Sequence, residues 1–168
     1  MLVESEGKMS TRSIYKLNFG KTKVIIYRHW DGYIAVGGKD FASLLNHYQK
    51  GEDLIKGMLN RQRGIYVSDI DQPLYSLEYT DDIGQEYEYI VKLPTFEANN
   101  KMVVEVKERK IEHNPLAKPG EQYTDRWHTI YKKSGAREDV VKDFLNYCTE
   151  EETKADNAYR ARLAGANA

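Results

Sequence analysis

The sequence SIYKLNFGKTKVIIYRHWDGY occupies residues 13–33 and sets the architecture of the chain. Residues 13–18 alternate between two faces, which is the pattern of a half-buried β-strand. Gly20-Lys21 is a typical turn, and a second strand follows over residues 22–29. Because Val24-Ile25-Ile26 is apolar on both faces of that strand, we expect it to be covered on both sides. The stretch therefore predicts an N-terminal β-hairpin whose second strand is central in a sheet.

Further elements follow from the spacing of apolar residues along the rest of the chain. Helical spacing predicts two short helices over residues 40–50 and 53–63, which we expect to pack on one face of the sheet. Alternating side chains predict further antiparallel strands, at residues 75–79, 85–93, 102–110 and 127–131. A last helical pattern covers residues 137–163. The predicted fold class is α+β, with an antiparallel sheet of four or five strands, helices on one face and a long C-terminal helix.

The length of 168 residues suits one domain with a single core. We expect residues 1–10 to form a flexible tail and residues 11–150 to form a single α+β domain. Residues 151–168 are charged and rich in alanine. They predict an exposed end of the C-terminal helix, or a tail, that projects into solvent, docks on a partner or frays.

Charge and cysteine content narrow the classes of function. The 25 basic and 26 acidic residues give a net charge of −1, which offers no global field to attract nucleic acid. Cys148 is the only cysteine, which excludes an internal disulfide and a cysteine-based zinc site. No apolar run reaches the ~18 residues of a membrane span, and residues 1–10 lack the apolar core of a signal peptide. We therefore expect a cytoplasmic protein that binds neither a membrane nor nucleic acid.

Tyrosine is unusually frequent, with thirteen tyrosines against four phenylalanines. Tyrosine gives a large contact area at low entropic cost and is enriched at protein interfaces. It also favours β-strands for purely structural reasons. Both explanations remain open at this stage.

Residues 27–33, Tyr-Arg-His-Trp-Asp-Gly-Tyr, concentrate side-chain chemistry at the end of the second strand. One interpretation is catalytic, with His29 as a general base oriented by Asp31 and Arg28 holding an anion. A second is a binding site, where Arg28 and the aromatic rings clamp a nucleotide or a protein loop. The third is structural: a turn at Asp31-Gly32, a mostly buried Trp30 and an internal salt bridge of Arg28. In the structural case Trp30→Ala should cost ~3–5 kcal/mol.

No motif in the chain indicates a cofactor or a metal ion. The four histidines are scattered, without HxH or HxxxH spacing. Gly37-Gly38-Lys39 lies before a helix, where phosphate can bind, yet it lacks the full phosphate-loop pattern. Four aspartates cluster around residues 65–82 without the glycine and glutamate of a Ca²⁺ loop, namely Asp69, Asp71, Asp81 and Asp82. We expect no cofactor, no metal site and no catalytic residues.

Three motifs suggest where the chain comes from. Ser10-Thr11-Arg12-Ser13 leads into the hairpin, HWDGY follows at residues 29–33, and a strand with the sequence EYEYIV begins at Glu86. This combination resembles small uncharacterised proteins, common in tailed-bacteriophage genomes, that begin with a TRS strand and carry an HWDGYP turn. The resemblance covers about residues 10–93 and departs from that pattern at Ile34, where the family usually has proline. It implies a phage or prophage origin and carries no activity with it.

A phage origin favours an accessory protein that binds and blocks a host protein, including proteins of bacterial defence, in the host cytoplasm. We expect stoichiometric binding through the 27–33 cluster and exposed tyrosines such as Tyr15 and Tyr27. The predicted binding residues are Arg28, His29, Trp30, Asp31, Tyr33, Tyr27 and Tyr15. The alternative is a small-ligand binding protein, of nucleotide type, or an enzyme that uses Arg28, His29 and Asp31.

Overall fold

A computed structural model describes residues 11–62, 73–97 and 100–166 of the chain. The predicted tail 1–10 and two of the clustered aspartates, Asp69 and Asp71, lie outside these residues. Six strands are described: β1 (Ser13–Phe19), β2 (Thr22–Arg28), β3 (Tyr75–Glu78), β4 (Tyr87–Leu93), β5 (Lys101–His113) and β6 (Tyr123–Ala136). Three α-helices accompany them: α1 (Lys39–His47), α2 (Gly51–Leu59) and α3 (Arg137–Ala166). A π-helical turn over Ile34–Gly38 leads into α1.

The strands form one mixed sheet in the order β3-β2-β1-β4-β5-β6. The α+β class and the long C-terminal helix are as predicted, but the sheet has six strands instead of four or five. The prediction of a purely antiparallel sheet is also wrong, since β1 and β4 run parallel, with Ser13 opposite Tyr87. The chain forms the β1–β2 hairpin, adds β3 beside β2, and then returns to the far side of β1 as β4. That return makes the β1–β4 pair parallel.

Strand β2 lies inside the sheet, between β1 and the short edge strand β3, and the two middle strands are β1 and β4. Its helix-facing Ile26 is fully buried, whereas Val24 and Ile25 are half-buried. The expectation that both faces of β2 would be covered is therefore met on one face only. The apolar pair Ile25 and Tyr27 lies on the other face, where neighbouring side chains shield it in part.

The core lies on one face of the sheet. Register places Tyr15, Tyr89 and Ile26 side by side on that face, and the Tyr15 ring stacks on the Tyr89 ring at 4.8 Å. All three α-helices contribute their buried side chains to the same cluster, so the predicted packing of the helices on one face is confirmed. The helix boundaries differ from the predicted ranges, because α1 ends at His47 and α2 begins at Gly51 and ends at Leu59.

Strands β5 and β6 continue beyond the rest of the sheet as a two-stranded arm. Pairing between β4 and β5 ends where Tyr87 faces Glu108, whereas β5 and β6 stay paired from Arg109–Trp127 to His113–Tyr123. We call residues 109–127 the arm. The predicted short strand 127–131 is thus the middle of a 14-residue strand.

Helix α3 follows β6 without an intervening loop, since β6 ends at Ala136 and α3 begins at Arg137. The Arg137 guanidinium donates to the carbonyls of Leu45 and Tyr48 at the end of α1, at 2.6 and 2.7 Å. The first half of α3 buries a stripe that includes Phe144 and Cys148. The start of the helix is therefore fixed both to the sheet and to α1.

The second half of α3 leaves the body of the protein. A salt bridge between Lys39 and Glu152, with Nζ and Oε2 2.9 Å apart, still joins the helix to α1. Every residue of Thr153–Ala166 is exposed. At 1.5 Å per residue this projecting segment is about 21 Å long.

Candidate binding surface

Arg28, the central residue of the predicted site, lies at the end of β2 and is 4% exposed. Its Nε donates to the carbonyl of Trp30 at 2.6 Å, and its Nη1 donates to Asp40 at 3.0 Å and to the Tyr75 hydroxyl at 2.7 Å. The Tyr75 hydroxyl in turn donates to Asp40 at 2.6 Å, and Arg61 pairs with the same carboxylate. Arg28 thus makes the internal salt bridge that the structural interpretation requires.

Electrostatics explain why a charged group is stable at this depth. Burial acts to lower the pKa of Arg28, but the neighbouring Tyr15, Tyr75 and Asp40 outweigh burial and raise that pKa. Burial, helped by Tyr15 and Asp40 and opposed by Arg28, raises the pKa of Tyr75 well above its usual value. Arg28 therefore stays protonated and Tyr75 stays a neutral hydrogen-bond donor across the physiological pH range.

Tyr15 does not lie on the surface, so the prediction of an exposed Tyr15 is wrong. Its side chain is fully buried, and its hydroxyl donates to the carbonyl of Gly37 at 3.1 Å. Burial raises the pKa of Tyr15 to about 12. The alternation of β1 already put Tyr15 on the face of Leu17, and this face is the one the helices cover.

The chain bends at Trp30 and Tyr33, on either side of Asp31-Gly32, and these two residues themselves form no hydrogen-bonded turn, in contrast to the predicted turn. Asp31 has a φ of 51°, a left-handed conformation that aspartate tolerates. The amide of Gly32 donates to the carbonyl of Thr11 at 3.1 Å, and a Cβ on Gly32 would lie 2.5 Å from Ser13 Oγ. Because β2 already ends at Arg28, the strand does not continue through Trp30. The catalytic interpretation needed that continuation to bring His29 and Asp31 onto one face.

The remaining predicted residues form a half-buried aromatic row beside the bend. The rings of Tyr27 and His29 are 4.7 Å apart, and those of His29 and Trp30 are 5.5 Å apart. His29 Nε2 lies 3.1 Å from Ser76 Oγ, and burial lowers the pKa of His29. Burial also raises the pKa of Tyr33, which is half-buried too. The structure thus separates the predicted set into two buried residues and five half-buried ones.

Trp30 packs against the core and most of its surface is covered, as predicted, but the ring is not fully buried. The expected cost of Trp30→Ala falls accordingly, from the ~3–5 kcal/mol of a fully buried ring to about 2 kcal/mol. Urea denaturation followed by circular dichroism measures this difference. Trp127→Ala is the matched control, because Trp127 lies on the arm and should cost less than about 1 kcal/mol. Equal losses for the two variants would contradict the packing of Trp30 on the core.

Gly37-Gly38-Lys39 is explained by close packing. A Cβ on Gly37 would lie 2.8 Å from the carbonyl oxygen of Asp31, and a Cβ on Gly38 would lie 3.1 Å from the Tyr89 ring. The ammonium group of Lys39 is paired with Glu152. The three residues that suggested a phosphate site therefore serve the contact between the π-helical turn, the sheet and α3.

A surface that the sequence prediction missed lies on the helix-free face, at the base of the arm. Arg109 Nε donates to both Asp125 carboxylate oxygens at 2.7 and 2.8 Å, and the guanidinium lies 5.8 Å from the centre of the Trp127 ring. A groove of about 420 Å³ opens beside this pair, lined by Lys16, Asp81, Asp82, Gln85, Glu88, Lys107, Arg109, Asp125 and Trp127. Its floor is a buried ion pair, with Lys16 Nζ 3.1 Å from Glu88.

Large apolar side chains extend from this groove along the arm. Ile111 and Tyr123 are each 69% exposed and Leu116 at the tip is 94% exposed. Register places Ile111 opposite Asp125, so Tyr123 and Trp127 lie on the same face as Ile111. Of the ten large hydrophobic side chains that are exposed among the described residues, four are on the arm. We call Ile111, Leu116, Tyr123 and Trp127 the arm stripe.

The sequence carried a signal for the arm. Arg109, Ile111 and His113 continue the alternation of β5, and Tyr123, Asp125 and Trp127 precede the short strand that was predicted. The two prolines and the glycine at residues 114–120 then form the tip of one long hairpin. The predicted strands 102–110 and 127–131 stopped short of these flanks, so their pairing was missed.

Within the described ranges, no group of three or more histidine, cysteine, aspartate or glutamate side chains is arranged to hold a metal ion. In the same part of the chain, no helix combines the length and the hydrophobicity that a bilayer crossing requires. Comparison with protein-family models, with curated proteins and with solved structures gives no match.

Proposed function

We propose that this protein is a phage-encoded accessory protein that binds a host protein stoichiometrically in the bacterial cytoplasm, with a protein of bacterial defence as the target class. The observation that carries the proposal is the arm stripe. The sequence resemblance supports the phage origin, and the exposed side chains of the arm support binding to a protein.

The arm stripe has the composition of an interface anchor. Trp and Tyr are enriched among the residues that contribute most to protein–protein binding. Ile111, Tyr123 and Trp127 share one face of the arm with the Arg109–Asp125 ion pair, and such a mixture of aromatic side chains and arginine is typical of protein interfaces. The guanidinium of Arg109 holds Trp127 in place, which lowers the entropy cost of ordering that ring on a partner. The arm therefore presents large exposed apolar side chains around an ordered ion pair.

Charge supports a protein target over a nucleic acid. Residues 109–127 carry four basic side chains and three acidic ones, and Arg109 is already neutralised by Asp125. Such a surface releases few counterions on binding, so affinity for a phosphate backbone is low. We expect binding that depends weakly on salt and is driven by apolar burial.

The alternative function, a nucleotide-type ligand or substrate held by Arg28, His29 and Asp31, requires different contacts. Arg28 would have to leave Asp40 and Tyr75, which now satisfy its charge. Breaking such a buried pair costs about 3–5 kcal/mol. The corner is better explained as part of the fold.

The test uses the full chain as bait in a lysate of the bacterial host, followed by titration of the purified target. A triple variant of the arm, I111S/Y123S/W127S, should lose at least about 30-fold in affinity, since one hot-spot truncation costs ~2 kcal/mol. The control L77S/Y79S changes exposed residues at the opposite edge of the sheet and should bind as the wild type does. Inhibition of the target should saturate at equimolar protein.

Two results would count against the proposal. A complete effect at strongly substoichiometric protein, with a modified target or a consumed nucleotide, would show turnover and favour the enzyme. Equal affinity of the arm variant and the wild type would place the interface elsewhere on the molecule.

A further inference from the structure

The projecting segment Thr153–Ala166 presents one apolar face to solvent. At 100° per residue, its apolar stripe falls within an arc of about 80°; the stripe consists of Ala155, Tyr159, Leu163 and Ala166. Tyr159 is 57% exposed and Leu163 is 46% exposed. The core of the domain ends before this stripe begins, so the stripe contributes nothing to the fold of its own chain.

Charge is distributed unevenly along the same part of the helix. Residues 150–156 contain four acidic side chains and one basic side chain, whereas residues 157–166 contain two arginines and no acidic side chain. Two such segments side by side in a parallel arrangement would bring like charges together. In an antiparallel arrangement the acidic part of each faces the basic part of the other.

The position of the stripe fits the antiparallel arrangement. Tyr159 lies at the midpoint between Glu152, the last residue with a salt bridge to the body, and Ala166. Full antiparallel overlap therefore sets Tyr159 beside its own copy and Ala155 beside Leu163. Asp156 then lies within reach of the copy's Arg160, which is on the same flank of the stripe.

We propose that the projecting segment of α3 pairs antiparallel with the same segment of a second copy of this chain. The pairing buries Tyr159 and Leu163 and places the acidic part of each helix against the basic part of the other. With two large apolar anchors per copy the interface is small. We therefore expect a weak, reversible dimer.

The arginines near the end of α3 have a simpler role that the test must separate from pairing. Positive charge in the last turns of a helix interacts favourably with the helix dipole. That effect acts within one chain. It cannot be restored by mixing two different variants, whereas a charge contact between two chains can be restored in that way.

Sedimentation equilibrium from micromolar to millimolar concentration tests the proposal. The weight-average mass of the wild type should rise from 19.5 kDa towards twice that value. Asp156→Arg alone, and the double variant R160D/R162D alone, should each dimerise at least about tenfold more weakly. An equimolar mixture of the two variants should recover wild-type association, because each restores the opposite charge for the other.

Two further variants keep the test decisive. Leu163→Ala preserves helix propensity and removes an apolar anchor, so it should also weaken dimerisation at least about tenfold. Asn157→Asp adds a charge on the opposite face of the helix and should leave the dimer unchanged. Circular dichroism at 222 nm confirms that each variant keeps its helix.

A wild-type chain that stays monomeric at millimolar concentration would overturn the proposal. So would a dimer that is insensitive to the changes at Asp156, Arg160 and Leu163, since it would form through another surface such as the arm. Failure of the mixture to recover association would overturn the antiparallel arrangement.

Discussion

Replacing Asp40 with alanine should lower the free energy of unfolding by about 3–5 kcal/mol, because it leaves the buried Arg28 guanidinium without its counter-charge. Asp40 also accepts a hydrogen bond from Tyr75 and pairs with Arg61. The loss is a large share of the ~5–15 kcal/mol by which domains of this kind are stable. We therefore expect D40A to be partly unfolded at physiological temperature.

Urea denaturation of D40A against the wild type measures this loss. D125A is the matched control, since it breaks the exposed pair with Arg109 and should cost at most about 1 kcal/mol. The double variant R28M/D40L should be more stable than D40A, because it removes both charges from the buried site. A D40A loss as small as that of D125A would show that the corner does not depend on the buried pair.

Cys148 should react with iodoacetamide at pH 8 about 10³-fold more slowly in the native protein than in denaturant. The thiol is fully buried. Burial, helped by Glu151 and opposed by Lys39, raises its pKa to about 12. A free cysteine of pKa ~8.5 is about one quarter thiolate at pH 8, whereas a group of pKa about 12 is ~10⁻⁴ thiolate.

The same shift links Cys148 to stability at alkaline pH. Because the folded pKa is raised, the contribution of the neutral thiol is fully present below the unfolded pKa of ~8.5. It is lost progressively as pH rises from there through about 12. As pH rises above about 8.5, the free energy of unfolding should therefore fall more steeply for the wild type than for C148A.

The control for the labelling experiment is T153C in a C148A background, which puts a thiol on the exposed part of the same helix. That thiol should react at the rate of a free cysteine. Native Cys148 labelling as fast as this control would mean that α3 separates readily from the sheet.

The local parts of the fold follow from short sequence patterns. The β1–β2 hairpin and the alternation of β4 depend on residues at most 15 positions apart, where periodicity and turn signals are informative. The role of Arg28 does not follow from a short pattern, because its partners Asp40 and Tyr75 are 12 and 47 positions away in the sequence. Sequence alone left that residue with three interpretations for this reason.

Two of the missed features are pairings between separate segments. The parallel contact of β1 with β4 joins Ser13 to Tyr87 across two strands and two α-helices. The arm depends on His113 pairing with Tyr123 across a loop rich in proline and glycine. Patterns within one segment give the type of element, but they do not say which segments meet.

The direct junction of β6 and α3 has a consequence for how this molecule would engage an assembled target. Residues 123–166 run from the arm to the tip of α3 with no loop between strand and helix, and Arg137 fixes the junction to the end of α1. Two arms joined through paired α3 tips would therefore be held at one set spacing. Once the first arm has bound a repeating target, the second arm would bind it at a high effective concentration. The dimer would therefore gain avidity only for targets whose own repeat matches the spacing of the arms.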